Sequence, residues 1–188
     1  MKHPLRTLLS CMTFVCVTLL AGCRTAPTIP PIRTVPQVDL QRFMGDWYVV
    51  AHVPTMADKA VFNAVENYRL NDDGTIATTF SFNQDALDGK AKKYTMTGIV
   101  ANTATNAEWR MQFAWPVKAE YKIVYLDDNY QEAIIGRDQR DYVWILTRSP
   151  NITTTDFDAL LSRVRNMGYE INQVRRVPHQ SPADPEPS

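Results

Sequence analysis

Apolar and polar residues alternate over short segments through most of the chain. The clearest case is residues 109–113, where Trp109, Met111 and Phe113 share one face and the polar Arg110 and Gln112 share the other. A period of two is typical of a β-strand with one buried face. Eight such segments occur, joined by short polar links: residues 47–53, 64–70, 75–82, 92–101, 108–115, 121–126, 131–136 and 142–148. This regular spacing predicts an all-β fold, either an antiparallel barrel or a sandwich.

One segment near the C-terminus has a helical period instead. Its apolar residues recur every three or four positions: Phe157, Leu160, Leu161, Val164 and Met167. Thr153 or Thr155 can cap its start, and Gly168 can end it. The apolar stripe could contact a membrane, but the opposite face mixes acidic and basic residues. We therefore expect this helix to pack against the sheet.

The N-terminus has the layout of an export signal. Lys2 and Arg6 precede an apolar run over residues 8–21, which is shorter than the ~20 residues that span a bilayer. The run ends in Leu20-Ala21-Gly22-Cys23, which resembles a bacterial lipobox. An uncleaved membrane anchor is the alternative.

Cleavage before Cys23 would leave that residue at the start of the mature chain, with lipid attached. Cys11 and Cys16 would be removed, so neither a free thiol nor a disulfide would remain. Several acyl chains anchor a protein far more firmly than one. By the sorting rule of enterobacterial lipoproteins, Arg24 after the cysteine directs the protein to the outer membrane. We therefore expect a lipid-anchored protein on the periplasmic face of the outer membrane of a Gram-negative bacterium.

Composition shifts divide the chain into four regions. We predict a lipoprotein signal peptide (1–22), the lipidated cysteine with a Pro-rich extended linker (23–38), a barrel with its helix (39–177) and a disordered Pro-rich tail (178–188). The formal net charge of zero argues against nucleic acid as a partner.

The ends of the predicted barrel carry a family signature. Gly45-Asp46-Trp47 at the first strand, Arg148 after the eighth strand and a single helix beyond it resemble the lipocalins, and most closely the bacterial lipoprotein lipocalins. The middle signature, Thr-Asp-x-x-Tyr, is met only by Tyr142, because Gln139 stands where the Asp belongs. The resemblance implies an eight-stranded antiparallel up-and-down β-barrel with one C-terminal α-helix packed outside. It also implies binding of fatty acids, lysophospholipids or similar lipids within the envelope.

Strand alternation brings the two ends of that signature together. Trp47 begins strand one and Arg148 ends strand eight, so both lie at the same end of the barrel, where these strands pair at closure. The guanidinium can then lie flat over the indole, a cation–π contact of roughly 0.5–2 kcal/mol. Gly45 allows close backbone entry. We interpret the three residues as a structural closure of one end.

The opposite end is then the open one, and apolar residues at inward positions should line a ligand cavity. The predicted lining is Trp109, Met111, Phe113, Tyr121, Ile123, Tyr125, Tyr142 and Trp144, with plain core packing as the alternative for each. Val143 and Ile145 should lie under the helix. Lys118, Arg137 and Arg140 fall at the predicted mouth and could meet a head group, although neighbouring acidic residues favour mutually solvated surface charge.

A ring-lined cavity suits an apolar chain with a polar end, so the expected partner is a fatty acid or a lysophospholipid. Burying about ten methylenes at about 0.8 kcal/mol each gives about 8 kcal/mol gross, and ordering costs leave micromolar affinity. Two other functions stay open: a protein-interaction lipoprotein with a filled barrel, and a lipid-modifying enzyme using His52. A void of several hundred Å³ would favour the binder. The sequence offers no catalytic constellation, no metal-ligand spacing and no cofactor motif, so we predict a non-enzyme without cofactor or metal. A homodimer is one option for its oligomeric state.

Overall fold

Strands are the predominant secondary structure of the computed structural model, which describes residues 29–55 and 60–180. Eight strands follow one another along the chain: β1 (Gly45–His52), β2 (Val61–Leu70), β3 (Ile76–Gln84), β4 (Lys90–Val100), β5 (Glu108–Ala114), β6 (Val117–Leu126), β7 (Glu132–Gly136) and β8 (Val143–Thr147). Two helices flank them, α1 (Leu40–Phe43) and α2 (Thr154–Asn166), and α2 is followed by a 3₁₀ turn (Ile171–Gln173) and by β9 (Arg175–Arg176).

The first eight strands close into a barrel. Each of β2 to β8 pairs antiparallel with its neighbour in sequence, and β1 pairs with both β8 and β2. The eight-stranded antiparallel up-and-down barrel predicted from the sequence is therefore confirmed. The ninth strand, which the sequence did not indicate, pairs with the mouth end of β1.

Helix α2 packs on the outside of this barrel. The Thr153 side chain caps it by accepting a hydrogen bond from the Asp156 backbone N–H, as expected of a threonine at that position. Its buried residues Phe157, Leu160 and Val164 belong to one apolar cluster with Val143 and Ile145 of β8. The predicted docking of the helix against the sheet is confirmed.

The residues before the barrel are more closely packed than a free linker would be. Ile32 is 6% exposed and Val38 is fully buried. The Val35 N–H donates to the Ile123 carbonyl at 3.0 Å, and the Ile32 N–H donates to Asp138 Oδ1 at 2.8 Å. The expectation of an extended spacer up to residue 38 is thus wrong for its last residues, because the apolar side chains between the prolines bind to the barrel wall.

Contacts also continue past residue 177. The Asn63 N–H donates to the Pro178 carbonyl, His179 Nε2 lies 2.9 Å from the Val49 carbonyl oxygen, and the Gln180 N–H donates to Asn63 Oδ1. Residues 178–180 are therefore part of the packed structure rather than of a disordered tail. The predicted signal peptide, Cys23 and residues 181–188 lie outside the described residues.

Candidate ligand-binding site

One end of the barrel is closed by the Trp47 ring and the Arg148 guanidinium. Trp47 is fully buried, and Arg148 Cζ lies 3.9 Å from the centre of its ring, the contact that strand order predicts. The guanidinium also donates to the carbonyls of Asp46 at 2.7 Å, Arg42 at 2.9 Å, Phe43 at 3.1 Å and Met44 at 2.9 Å. Burial lowers the pKa of Arg148 from its ordinary value, yet such a group stays charged. The Arg148 guanidinium thus fixes the backbone that leads into β1 at this end of the barrel.

Helix α1 completes the closure. Its Asp39 cap accepts hydrogen bonds from the next backbone N–H groups, and it places the buried Phe43 ring 5.0 Å from Trp47. The Trp47 indole N–H donates to the Phe43 carbonyl at 2.8 Å. Gly45 has φ +93°, and a Cβ there would lie 3.4 Å from Arg148 Nη1. This left-handed backbone beside the guanidinium explains the glycine before the tryptophan.

A cavity of about 390 Å³ occupies the other half of the barrel interior. This volume falls within the range of about 300–1,000 Å³ typical of small-molecule sites. The lining is mainly aromatic and apolar, with a few polar groups: Thr55, Glu66, Phe80, Tyr94, Met96, Met111, Phe113, Ala119, Glu120, Tyr121, Arg137, Tyr142 and Trp144. Phe113 is 56% exposed, which places it at the mouth, whereas Met111 and Tyr121 are buried.

Most of the predicted lining residues reach this cavity. Met111, Phe113, Tyr121, Tyr142 and Trp144 line it. Trp109 lies beneath it instead: its ring stacks on Tyr121 at 5.2 Å and meets Phe43 edge-on at 5.5 Å, within the closed end. Ile123 is fully buried in the barrel core but is not a lining residue. For these two residues, plain core packing is the correct interpretation.

Tyr125 faces the opposite side of the wall. It packs in the cluster under α2, with Arg163 Cζ 4.2 Å from its ring centre. The β6–β7 register shifts between Ile123 and Tyr125, and such a bulge reverses the inward and outward positions that follow it. The prediction that Tyr125 lines the cavity is therefore wrong.

The lining predicted from the sequence did not include the residues on β2, β3 and β4. Phe80 and Met96 could have been found, because Ile76, Thr78, Phe80 and Phe82 alternate with outward polar residues on β3 and Met96 lies between two threonines on β4. Glu66 gave no such signal, because a carboxylate at an inward position contradicts the pattern that identifies the inner face.

Three polar side-chain atoms of cavity-lining residues are buried without hydrogen-bond partners among the described residues: Glu66 Oε2, Trp144 Nε1 and Arg137 Nε. Glu66 is 1% exposed and Trp144 is 6% exposed. Burial raises the pKa of Glu66 well above its ordinary value of 4.5. Nearby, the hydroxyls of Tyr68 and Tyr121 pair with each other at 2.5 Å. Burial chiefly, and the Glu66 carboxyl next, raise the pKa of Tyr121.

Arg137 is the predicted mouth cation that reaches the cavity. Its backbone N–H donates to the buried Tyr169 hydroxyl at 2.9 Å, which fixes the turn after β7. Its Nε lies 3.5 Å from Asp141 Oδ1 in a partly exposed ion pair. Arg140 instead donates to the carbonyls of Met167 and Pro30 on the outer surface. Lys118 is exposed and is not a lining residue.

Other chemistry is sparse in the described ranges. Across residues 29–55 and 60–180, no three His, Cys, Asp or Glu side chains are grouped so that they could hold a metal ion. His52 is buried on β1 opposite Trp144 and is not a lining residue of the cavity. Over the same ranges, no helix is long and apolar enough to cross a membrane.

Comparison with known proteins agrees with this architecture. Residues 38–179 match the family described as the lipocalin-like domain. The chain is 34% identical to a lipocalin of Acanthamoeba polyphaga mimivirus over 146 residues, which cover 74% of this chain and 83% of that one. It is 27% identical to the outer membrane lipoprotein Blc of Citrobacter freundii over 163 residues, or 83% and 88% of the two chains. Insecticyanin from the tobacco hornworm Manduca sexta superimposes with a TM-score of 0.60 at 19% identity, covering 82% of this chain and 87% of that one. The family match spans the whole barrel and its helix, and the chain belongs to the lipocalin family.

Proposed function

We propose that this protein binds fatty acids or lysophospholipids and holds or transports them in the bacterial cell envelope, anchored through Cys23 to the periplasmic face of the outer membrane. The observation that carries the proposal is the cavity of about 390 Å³ inside a barrel that is closed at one end. A void of this size favours a ligand binder over a protein-interaction lipoprotein with a filled barrel.

The chemistry of the cavity wall favours an amphiphile as the ligand. Phe80, Met96, Met111 and Trp144 offer buried apolar surface to a hydrocarbon chain. Arg137, at the turn after β7, offers a cation only partly neutralised by Asp141. An acyl chain in the cavity with its carboxylate or phosphate near Arg137 satisfies both features. Members of the lipocalin family typically bind small hydrophobic ligands without catalysis, and we propose the same non-enzymatic role here.

Filling the cavity should weaken this binding. Ala119 lines the cavity opposite Met111 on β5, so the ring in Ala119→Trp would occupy ligand space. We expect wild-type chain from Arg24 onward to bind dodecanoic acid with roughly micromolar affinity. Ala119→Trp should weaken this at least about tenfold, since most of the buried hydrocarbon contact is lost. Titration calorimetry gives both constants.

The matched control is Thr97→Trp, because Thr97 is exposed on β4 and does not line the cavity. It adds the same indole to the outer wall and should leave the affinity for dodecanoic acid unchanged. Absence of calorimetric binding by the wild-type chain would contradict the proposed function, whatever the variants do.

The anchoring part of the proposal rests on the lipobox-like sequence that ends at Cys23 and on the Blc relatives, which are outer membrane lipoproteins. Cys23→Ala should move the protein from the membrane fraction to the soluble periplasmic fraction in a Gram-negative host, because the covalent lipid supplies the membrane affinity. Immunoblots of separated fractions measure this. Arg24→Asp is the companion variant and should keep the lipid but retain the protein in the inner membrane. If Cys23→Ala still sedimented with outer membranes, anchoring through this cysteine would be wrong.

A further inference from the structure

The cavity wall has polar chemistry that a plain hydrocarbon chain does not use. Glu66 Oε2 and Trp144 Nε1 are both buried without hydrogen-bond partners among the described residues, and both residues line the cavity. Buried polar atoms in folded proteins are almost always paired. Two such atoms on one cavity wall therefore point to a ligand group that pairs with them.

The two groups lie on connected parts of the wall. Glu66 is the cross-strand partner of Phe80 on β3 and of Trp47 on β1. The Phe80 ring in turn packs on the Trp144 ring, with centroids 4.9 Å apart. The link to Trp47 places Glu66 just above the closed end of the barrel. Trp144 is the cross-strand partner of His52 at the mouth end of β1, so the Phe80 ring connects a polar group near the closed end to one whose strand position is nearer the mouth.

We propose that Glu66 and Trp144 form a subsite for a hydroxyl group on the buried part of an amphiphile, an inference that rests on the proposed function. A hydroxyl group is both an acceptor and a donor. Its oxygen accepts from the Trp144 indole N–H, and its hydrogen is donated to Glu66 Oε2. The preferred ligand is therefore an acyl chain that carries a hydroxyl towards its tail, with its head group near Arg137.

Other polar groups fit the two side chains less well. The Trp144 indole N–H is a donor only, so an ammonium group that paired with Glu66 would meet the positive end of this N–H bond. A ligand carboxylate could accept a hydrogen bond from the Trp144 indole N–H, but it would place a second carboxyl group beside Glu66 in a buried site. The adjacent phenols of Tyr68 and Tyr121 pair with each other, which uses one of their two hydroxyl hydrogens as a donor.

The test compares ligands that differ by one hydroxyl. Calorimetry with the chain from Arg24 onward should show that ω-hydroxydodecanoic acid binds roughly five- to tenfold more tightly than dodecanoic acid, as expected for one well-placed buried hydrogen-bonding group. In Glu66→Leu and in Trp144→Phe the preference should reverse, because the hydroxyl would be buried without one of its partners. Glu66→Gln keeps an oxygen acceptor and should retain the preference. Thr97→Val, which removes a hydroxyl from the outer wall, should leave the ratio unchanged.

The outcomes separate this inference from the proposed function. Equal affinities for the two acids in wild type and in both variants would overturn the hydroxyl subsite while leaving fatty-acid binding intact. A loss of dodecanoic acid binding in Glu66→Leu without any hydroxyl preference in wild type would show that the carboxyl head group occupies this subsite, and would also overturn it. So would tighter binding of dodecylamine than of either acid. Circular dichroism melting curves show whether each variant is folded. If Glu66→Leu does not fold, Glu66→Gln still tests the hydroxyl subsite.

Discussion

Arg148→Ala should destabilise the folded protein by about 3 kcal/mol, which lowers the melting temperature by roughly 10 °C. The side chain donates to four carbonyls at the start of β1 and before it, and its Nε lies 3.3 Å from the Tyr130 carbonyl. It also covers the Trp47 ring. Truncation removes these interactions together and leaves partly buried carbonyl oxygens without a donor. Urea unfolding, followed by tryptophan fluorescence, measures the change in the free energy of unfolding.

Two further variants separate the stabilisation that comes from the hydrogen bonds of the Arg148 guanidinium from that of its positive charge. Arg148→Lys keeps the cation but lacks the planar set of five donors, so it should recover only a minor part of the loss. Arg176 is the matched control, because its guanidinium also lies 3.9 Å from a ring centre, that of Phe157, on an exposed residue for which the described structure shows no side-chain hydrogen bond. Arg176→Ala should cost at most about 1 kcal/mol. Equal losses from Arg148→Ala and Arg176→Ala would show that the carbonyl contacts contribute nothing.

The barrel was predictable because its wall has one solvated and one buried face. That condition imposes a period of two on the sequence, and the short polar links fix the number of strands. The closure of one end followed from strand direction alone, since the beginning of β1 and the end of β8 meet when an even number of antiparallel strands closes. The packing of the chain ends and the pairing of β9 depend on contacts that the alternation of apolar and polar residues does not encode.

Side-chain direction was predictable only where the register is regular. A period of two places Tyr125 on the same face as Ile123, but the register shift between them moves it under α2. Bulges leave no distinct signal in a run of apolar residues such as 121–126. Trp109 was assigned to the correct face but to the wrong depth, because alternation carries no information on where along the barrel axis the cavity ends.

The N-terminal segment shows a different limit. Prolines at 27, 30, 31 and 36 indicate an extended chain, and that interpretation concerns local conformation only. The segment around Ile32 and Val38 is held by hydrogen bonds to the turn after β7, to β6 and to the link between β4 and β5, all far away in sequence. Long-range contacts of this kind cannot be derived from local composition.

Glu66→Gln should change the pH dependence of stability more than any other single carboxyl substitution that the described structure suggests. Burial raises the pKa of Glu66 well above 4.5 in the folded protein, and no cationic side chain of residues 29–55 and 60–180 pairs with it. Between 4.5 and the raised pKa, the folded state therefore binds more protons than the unfolded state. Over that window the free energy of unfolding falls as the pH rises, by about 1.4 kcal/mol per pH unit. Below 4.5 both states are protonated, and this effect of Glu66 disappears.

The glutamine variant has no carboxyl group to titrate at this position, so its free energy of unfolding relative to wild type should be constant below pH 4.5 and then increase towards neutral pH. Urea unfolding of both proteins across this range gives the difference directly, because every other titrating group is shared. Glu170 is exposed, and the curve of Glu170→Gln should parallel that of wild type. A difference between Glu66→Gln and wild type that stayed flat with pH would mean that the Glu66 carboxyl is charged and well solvated in the cavity. In that case the ligand hydroxyl would donate to a carboxylate instead of a neutral carboxyl group, and the acceptor that the proposed subsite requires would still be present.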